Sequence, residues 1–355
     1  MTVIPIGKDK DYNVYIGNDL IEKIGSLSVD VARGKKAALV CDSNVLELYA
    51  DKIKNVLTSS GYDVYIFSFP AGEKSKNLET YTDILTFFSN NSFSRSDTVF
   101  ALGGGVTGDM AGFAASTYMR GTKFINIATT LLSMVDSSVG GKTGVDLPTG
   151  KNLVGTFYRP STVFCPLETL NTLSEDIFND GMAEVIKYGI IGNEILSFCE
   201  DKKTIKDNIE DIISKCVSIK NNVVSVDENE SGPRRILNFG HTLAHSVEKL
   251  SYYTISHGKA VGFGIAAITR ASVEKGLCES SFYKRIEKIL AEYNLPLYTE
   301  FTPDQIYKAS LSDKKFSGDE ITILMTRGEG QILFNKVDKK TLYDIILNAE
   351  VNNKK

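Results

Sequence analysis

The chain has 355 residues, of which 42% are hydrophobic and 24% charged, with a formal net charge of -4. That balance is typical of folded globular proteins; it excludes a disordered or membrane-dominated chain and argues against a general nucleic-acid partner. A local cluster of Lys and Arg inside a pocket would be invisible to the sum. The length exceeds what one core usually supports, so two domains are expected. The five cysteines are widely spaced with no CxxC pair, as reduced thiols of a cytoplasmic protein would be. The N-terminus carries no signal-peptide pattern and no later run is long enough to span a bilayer, so no membrane partner is expected.

In chain order, KKAALVCD (35–42) reads as a buried strand, VLELYADKIKNVLTSSG as an amphipathic helix and YDVYIFSFP as a second strand. This strand-helix-strand unit predicts a parallel sheet with right-handed crossovers. LETYTDILTFFSNNSF continues as a helix, SDTVFALGGGVTGDMAGFAAS as strand, glycine turn and helix, and KFINIATTLLSMVDSS as a buried strand running into a helix. Near residue 175 the texture changes. Five segments from IFNDGMAEVIKYGIIG to ESSFYKRIEKILAEYN carry apolar residues at helical spacing, and short strands return only around EITILMTRG and QILFNKV. The fold class is therefore an α/β N-terminal part followed by a mainly α-helical C-terminal part.

The turn VFALGGGVTGDMAGF places three glycines between a strand and a helix, where backbone N–H groups and the helix dipole suit a pyrophosphate. It departs from GxGxxG, and a glycine cluster alone is as often a plain tight turn. Asp42 at an earlier strand end is placed to hold a ribose hydroxyl, Glu73 and Lys76 lie on a turn before a helix, and Thr129 and Thr130 follow another strand. Several strand ends then converge, as in ligand sites of open α/β sheets.

The three histidines of the chain, His241, His245 and His257, fall within 17 residues. A lone histidine on a helix is usually structural; all of them in one short stretch is harder to explain that way. His241 and His245 are four apart, so spacing alone suggests an HxxxH metal pair. Glu184, an acid in the otherwise apolar helix DGMAEVIKYG, is a candidate carboxylate ligand unless it is a surface charge. Lys142, Lys151, Asn152, Lys187, Lys220, Arg234, Arg235, Lys314 and Lys315 lie near these segments. Singly each is an ordinary solvated side chain, but Lys187 shares a helical face with Glu184, and Arg234 and Asn238 approach His241 at helical spacing. A basic wall beside a metal suits a small, multiply anionic substrate.

LGGGVTGDMAGFAAS, TTLLSMVDSSVGGKTGVD, GKNLVGTFYRP, GMAEVIKYG, ENESGPRRILNFGHTLAH and SHGKAV resemble the successive signatures of the 3-dehydroquinate synthases, over about Asp42 to Lys315. The resemblance implies a Rossmann-like NAD-binding domain over 1–175, a mainly helical metal- and substrate-binding domain over 176–355, and a homodimer with the site in the cleft. It implies that Glu184, His241 and His257 bind Zn2+ (or Co2+), which replaces His245 as a ligand and leaves it to contact substrate. It places NAD+ on Asp42, Glu73, Lys76, Gly104, Gly105, Val106, Asp109, Thr129, Thr130, Lys142, Lys151, Thr169 and Thr172. Substrate contacts fall on Asp136, Asn152, Lys220, Arg234, Asn238, Lys314 and Lys315, with Arg120 reaching the neighbouring subunit's phosphate site. Catalytic roles fall on His245, Glu230, Lys142 and Lys187. GHTLAHSVE departs from the pattern, with alanine where glycine is expected before the second histidine.

The implied substrate is 3-deoxy-D-arabino-heptulosonate 7-phosphate, a phosphorylated keto-acid sugar, and the implied products are 3-dehydroquinate and phosphate. The route is transient oxidation by NAD+, β-elimination of phosphate, re-reduction and intramolecular aldol closure. Two enzyme rivals share parts of the pattern. Iron-type alcohol and glycerol dehydrogenases take neutral polyols and need no basic wall; other sugar phosphate cyclases take substrates without a carboxylate and need fewer cations. A scaffold with a structural metal is disfavoured by the open ligand set and convergent charges.

Overall fold

The structure, a computed structural model, describes every residue except 33, 193, 228–231, 312–319 and 353–355. The backbone divides into two compact units, Met1–Ser174 with Lys220–Ser225, and Glu175–Ile219 with Val226–Lys355. Among the described residues no helix is long and apolar enough to cross a membrane.

The first unit is built on strands β1 (Thr2–Ile6), β2 (Tyr12–Gly17), β3 (Lys36–Asp42), β4 (Asp63–Phe69), β5 (Thr98–Gly103), β6 (Lys123–Ala128), β7 (Lys142–Leu147), β8 (Gly150–Phe157) and β9 (Thr162–Pro166). Seven form one sheet in the order β1-β2-β9-β6-β5-β3-β4. All neighbours are parallel except the antiparallel pair β1 and β2. The run KAALVCD forms an interior strand, next to the edge strand β4, and is apolar at odd and even positions alike because both of its faces are covered. Leu39 and Cys41 pack with Phe100 and Leu102 against Ile53 and Leu57 of α1 (Asp51–Ser59). Ala38 and Val40 pack with Val99 and Ala101 against Ile84 and Phe88 of α2 (Leu78–Asn90) and Met110 and Ala114 of α3 (Gly105–Thr117).

The connection from β3 goes outward to β4, and β5 returns on the other side of β3. The carboxyl ends of β3 and β5 therefore flank a topological switch point, where ligands of open α/β sheets bind. Asp42 ends β3 and Gly103 ends β5. The antiparallel hairpin β7–β8 stands apart from the main sheet. Lys220, expected in the second domain, groups with this unit because its ammonium donates to the Asp136 carbonyl at 2.7 Å and pairs with the Asp136 carboxylate at 3.0 Å.

The second unit is helical, as expected: α4 (Glu175–Ile191), α5 (Ile209–Val226, whose Lys220–Ser225 segment groups with the first unit), α6 (His241–Leu250), α7 (His257–Glu274), α8 (Ser280–Glu292), α9 (Pro303–Ser310) and α10 (Lys339–Asn348), with an antiparallel hairpin of β10 (Glu320–Gly328) and β11 (Gln331–Asp338). Two helices form its interior. From Gly181 to Ile191 every residue of α4 is buried, and so is every residue of α7 from Ala260 to Ser272. A helix apolar on all sides belongs in a core, so a charged residue on α4 must find its partner inside.

Candidate active site

Glu184 is fully buried on α4, at 0% exposure. Its Oε2 pairs with the ammonium of Lys187, one turn along the same helix and itself 1% exposed. Its Oε1 faces two imidazoles, lying 3.4 Å from Nε2 of His241 and 3.5 Å from Nε2 of His257. The three residues bring one donor atom each within 4.8 Å of one another.

Two close backbone approaches set this geometry. Gly240, with φ +78°, ends the turn before α6, and a Cβ on Gly264 of α7 would fall 2.1 Å from the Gly240 carbonyl oxygen. The start of α6, where His241 stands, is thereby held against α7. A Cβ on Gly258 would fall 2.0 Å from the Asp180 carbonyl oxygen, so the first turn of α7 lies directly on α4. The Asp180 carboxylate accepts from the Lys259 N–H at 3.1 Å and from the Ser256 hydroxyl, which closes the helix start that bears His257.

The outward nitrogens of both rings have acceptors. His241 Nδ1 lies 3.1 Å from the Phe239 carbonyl oxygen, and His257 Nδ1 lies 3.4 Å from Glu248 Oε1. With a proton on each Nδ1, both Nε2 lone pairs point at the Glu184 side, which is the arrangement that metal-binding histidines adopt. Two imidazoles and a monodentate carboxylate are a donor set for Zn2+ or Co2+ with a coordination position left open. Burial alone would weaken the His257 base, but hydrogen bonds to Glu184 and Glu248 overcome it and push the ring up to about 10. A divalent cation therefore competes with a proton for this ring.

His245, the other half of the HxxxH spacing, is exposed and not among the clustered donors; its ring stands perpendicular to that of His241, with centroids 5.5 Å apart. Four residues apart on a helix places two side chains on one face, but the donors that His241 joins come from α4 and α7 instead. Arg234 is 2% exposed, with its backbone N–H donating to Asp227 at 3.0 Å. Asn238 is half-buried just before α6. Glu230, Lys314 and Lys315 lie outside the described residues.

In the first unit the glycine turn has the form expected. Gly104 is the N-cap of α3 and supplies no side-chain cap, so the first-turn amides of Gly105, Val106 and their neighbours are left for an anion. The cradle is tight: a Cβ would lie 3.2 Å from Thr130 at Gly104 and 3.0 Å from Ser137 at Gly105. These features fit a dinucleotide's pyrophosphate. Asp42 caps the turn after β3, accepting from Asn44 and Val45 N–H at 2.9 and 3.2 Å, while its second oxygen accepts from Thr107 at 3.5 Å. Thr129 is buried beside Gly103, and its N–H donates to that carbonyl at 3.0 Å. Thr169 is buried; Thr172 bonds the Tyr49 hydroxyl at 2.6 Å.

Lys76 joins two sets that the sequence kept apart. Its ammonium donates to Asp109 at 2.6 Å and to Asn152 at 2.7 Å, so Asn152, read as a substrate contact, stands with two residues read as cofactor contacts. Burial pushes the Asp109 carboxyl up and Lys76 offsets part of this; the Lys76 ammonium, which burial would lower, is raised by Asp109 and Glu73. Lys151 pairs with Glu73 at 3.3 Å. Lys142 opens β7 as an exposed residue, and Arg120 is exposed with φ +68°. Reading the sequence missed Glu248 and Asp180. The signal for Glu248 was available: it lies seven residues beyond His241, an acid on the same side of one helix.

A family model described as 3-dehydroquinate synthase N-terminal matches residues 66–180, and one described as 3-dehydroquinate synthase C-terminal matches residues 181–316. The 3-dehydroquinate synthase of Clostridium kluyveri is 39% identical over 350 residues, covering 97% of this chain and 98% of that one. That of Clostridium acetobutylicum is 40% identical over 338 residues, covering 94% and 95%. Among solved structures, 2-epi-5-epi-valiolone synthase from Streptomyces hygroscopicus, with NAD+ and Zn2+ bound, superposes with a TM-score of 0.86 at 25% identity, covering 95% of this chain and 96% of that one.

Proposed function

The chain belongs to the 3-dehydroquinate synthase family, and on that premise we propose that it converts 3-deoxy-D-arabino-heptulosonate 7-phosphate to 3-dehydroquinate and phosphate, using NAD+ and Zn2+ or Co2+. The observation that carries the reading is the buried Glu184, with Lys187 on one oxygen and two imidazoles on the other. A structural charge would need one partner; a carboxylate and two Nε2 atoms turned to a common point are a ligand set.

Glu184, His241 and His257 would hold the metal, which when bound supplies Lewis-acid stabilisation of deprotonated substrate hydroxyls. Asp42, Gly104, Gly105, Val106, Asp109, Thr129, Thr130, Thr169 and Thr172, with Lys76 and the Lys151–Glu73 pair, would hold NAD+, whose nicotinamide when bound supplies reversible hydride transfer. Lys187 pairs with Glu184 Oε2 and offsets the cost of burying that carboxylate inside an apolar helix. Lys142, Asn152 and His245 take the phosphate charge as it leaves, and Lys220 and Arg234, with Lys314 or Lys315, take the carboxylate of the keto acid. Asp136 orients Lys220 through both its carbonyl and its carboxylate. Asn238 hydrogen-bonds substrate hydroxyls. His245 and Glu230 move the protons of elimination and ring closure.

We propose a homodimer in which the exposed Arg120 serves the neighbouring subunit's phosphate site, and a cytoplasmic location consistent with five buried free cysteines. The experiment is to mix the protein with NAD+, metal and the heptulosonate phosphate and follow phosphate release beside NADH absorbance. Phosphate without accumulated NADH is expected. Stoichiometric NADH would make the chain a dehydrogenase and overturn the reading.

A further inference from the structure

We propose that Glu248 is a positioning residue for His257, holding that ring with Nδ1 protonated and Nε2 turned toward Glu184. The inference rests on the metal-dependent reading above and assigns a task to a residue outside the ligand set.

Glu248 lies on α6 and is 3% exposed. A buried carboxylate on a helix face needs a hydrogen-bond donor. Its Oε1 is 3.4 Å from His257 Nδ1, and the other nitrogen of the same ring is 3.5 Å from Glu184 Oε1. An imidazole between two carboxylates can ligate a metal through Nε2 only if its proton sits on Nδ1, and Glu248 stabilises that tautomer. One helix thus supplies both a ligand, His241, and the group that orients another ligand on α7.

The two histidines are held by different means for a physical reason. His241 is 8% exposed and donates to a neutral backbone carbonyl, that of Phe239. His257 has a side chain 32% exposed and is the first residue of α7, where the positive end of the helix dipole withdraws electron density from the ring. A carboxylate at Nδ1 offsets that loss of basicity and fixes a ring that packing leaves partly open. A carbonyl partner suffices for the ring that is already enclosed.

The test compares Glu248→Ala, Glu248→Gln and Glu248→Asp by Zn2+ affinity, from competition with a chromophoric chelator, and by the visible absorption of the Co2+ form. Glu248→Ala should weaken Zn2+ binding by about 10- to 100-fold, the usual effect of losing such an outer partner. Glu248→Gln keeps an acceptor at the same reach, whereas Glu248→Asp keeps the charge but withdraws it by about 1.5 Å, one carbon–carbon bond. Positioning predicts that Gln binds Zn2+ more tightly than Asp, even if the alanine variant fails to fold. The reverse order would show that Glu248 acts only through its charge, and equal affinity in all variants would remove its role; either result overturns the inference. A wild-type protein that binds neither Zn2+ nor Co2+ would instead refute the metal-dependent reading itself.

Discussion

Gly258 stands against Asp180 so closely that a single added carbon on the glycine would meet the aspartate carbonyl oxygen at 2.0 Å. This contact holds the His257 end of α7 on the Glu184 helix. Gly258→Ala should cost about 1–3 kcal/mol through overpacking, and should weaken Zn2+ binding at least tenfold because His257 must move off its Nε2 direction. Asp180→Ala leaves the space unchanged but removes the acceptor for Lys259 N–H, so it should cost about 0.5–2 kcal/mol, as lost helix caps do. Denaturant melts with Zn2+ titrations on both variants check this. A glycine variant that keeps wild-type affinity would show that the contact does not set the site.

The Lys76–Asp109 pair in the first unit is buried, with side chains 6% and 20% exposed. Removing Lys76 strands the Asp109 charge, so Lys76→Met alone should lower stability by about 3–5 kcal/mol, whereas Asp109→Leu should cost less because Glu73 still faces the ammonium and Asn152 still accepts from it. The double variant should recover more than half of the Lys76→Met loss in a double-mutant cycle, because no charge is left unpaired. Additive single losses would mean that the pair contributes through packing alone.

How far the sequence carried the reading depends on the signal each residue leaves. Strands β3, β5 and β6 were legible because burial on both faces turns them into continuous apolar runs, and helices such as α6 and α8 because a single apolar face gives them a strong periodicity. The hairpin β7–β8 was not: KTGVDLPTGKNLVGTF is rich in Gly, Thr and Lys, with little apolar alternation to mark a strand. Spacing on one helix favoured His241 with His245, because sequence distance is visible and the packing of three helices is not. The resemblance named Glu184 and His257 instead, and the geometry gathers those two with His241. Glu248 escaped because its partner, nine residues on, lies beyond a turn that reorients the chain.

Lys142 is exposed at the head of β7, within the hairpin that also carries Lys151 and Asn152. As the proposed phosphate contact it should matter to catalysis more than to cofactor retention. Lys142→Ala should cut kcat/KM for the heptulosonate phosphate by at least a hundredfold, the order expected for one lost charge-assisted contact in a reacting site. Its Kd for NAD+, measured by calorimetry, should change less than about fivefold. A large loss of NAD+ affinity would move Lys142 to the cofactor side.

His257 would give the proposed metal site its pH dependence. Desolvation disfavours the charged ring, but hydrogen bonds to Glu184 and Glu248 and their charges raise its folded value to about 10 in the metal-free protein, above the unfolded value of about 6.5. The sign follows from linkage. The protonated ring stabilises the metal-free fold fully below about pH 6.5, and that contribution is lost as pH rises through 10. A metal needs the same Nε2 lone pair, so at neutral pH its binding must expel the proton. Zn2+ binding at pH 7 should then release about one proton from His257, and apparent affinity should rise about tenfold per pH unit up to pH 9. Calorimetry in buffers of different ionisation enthalpy reads the proton count directly. Binding without proton release at pH 7 would mean that His257 is already neutral or does not ligate, and His257→Ala distinguishes these, since only loss of a true ligand abolishes tight binding.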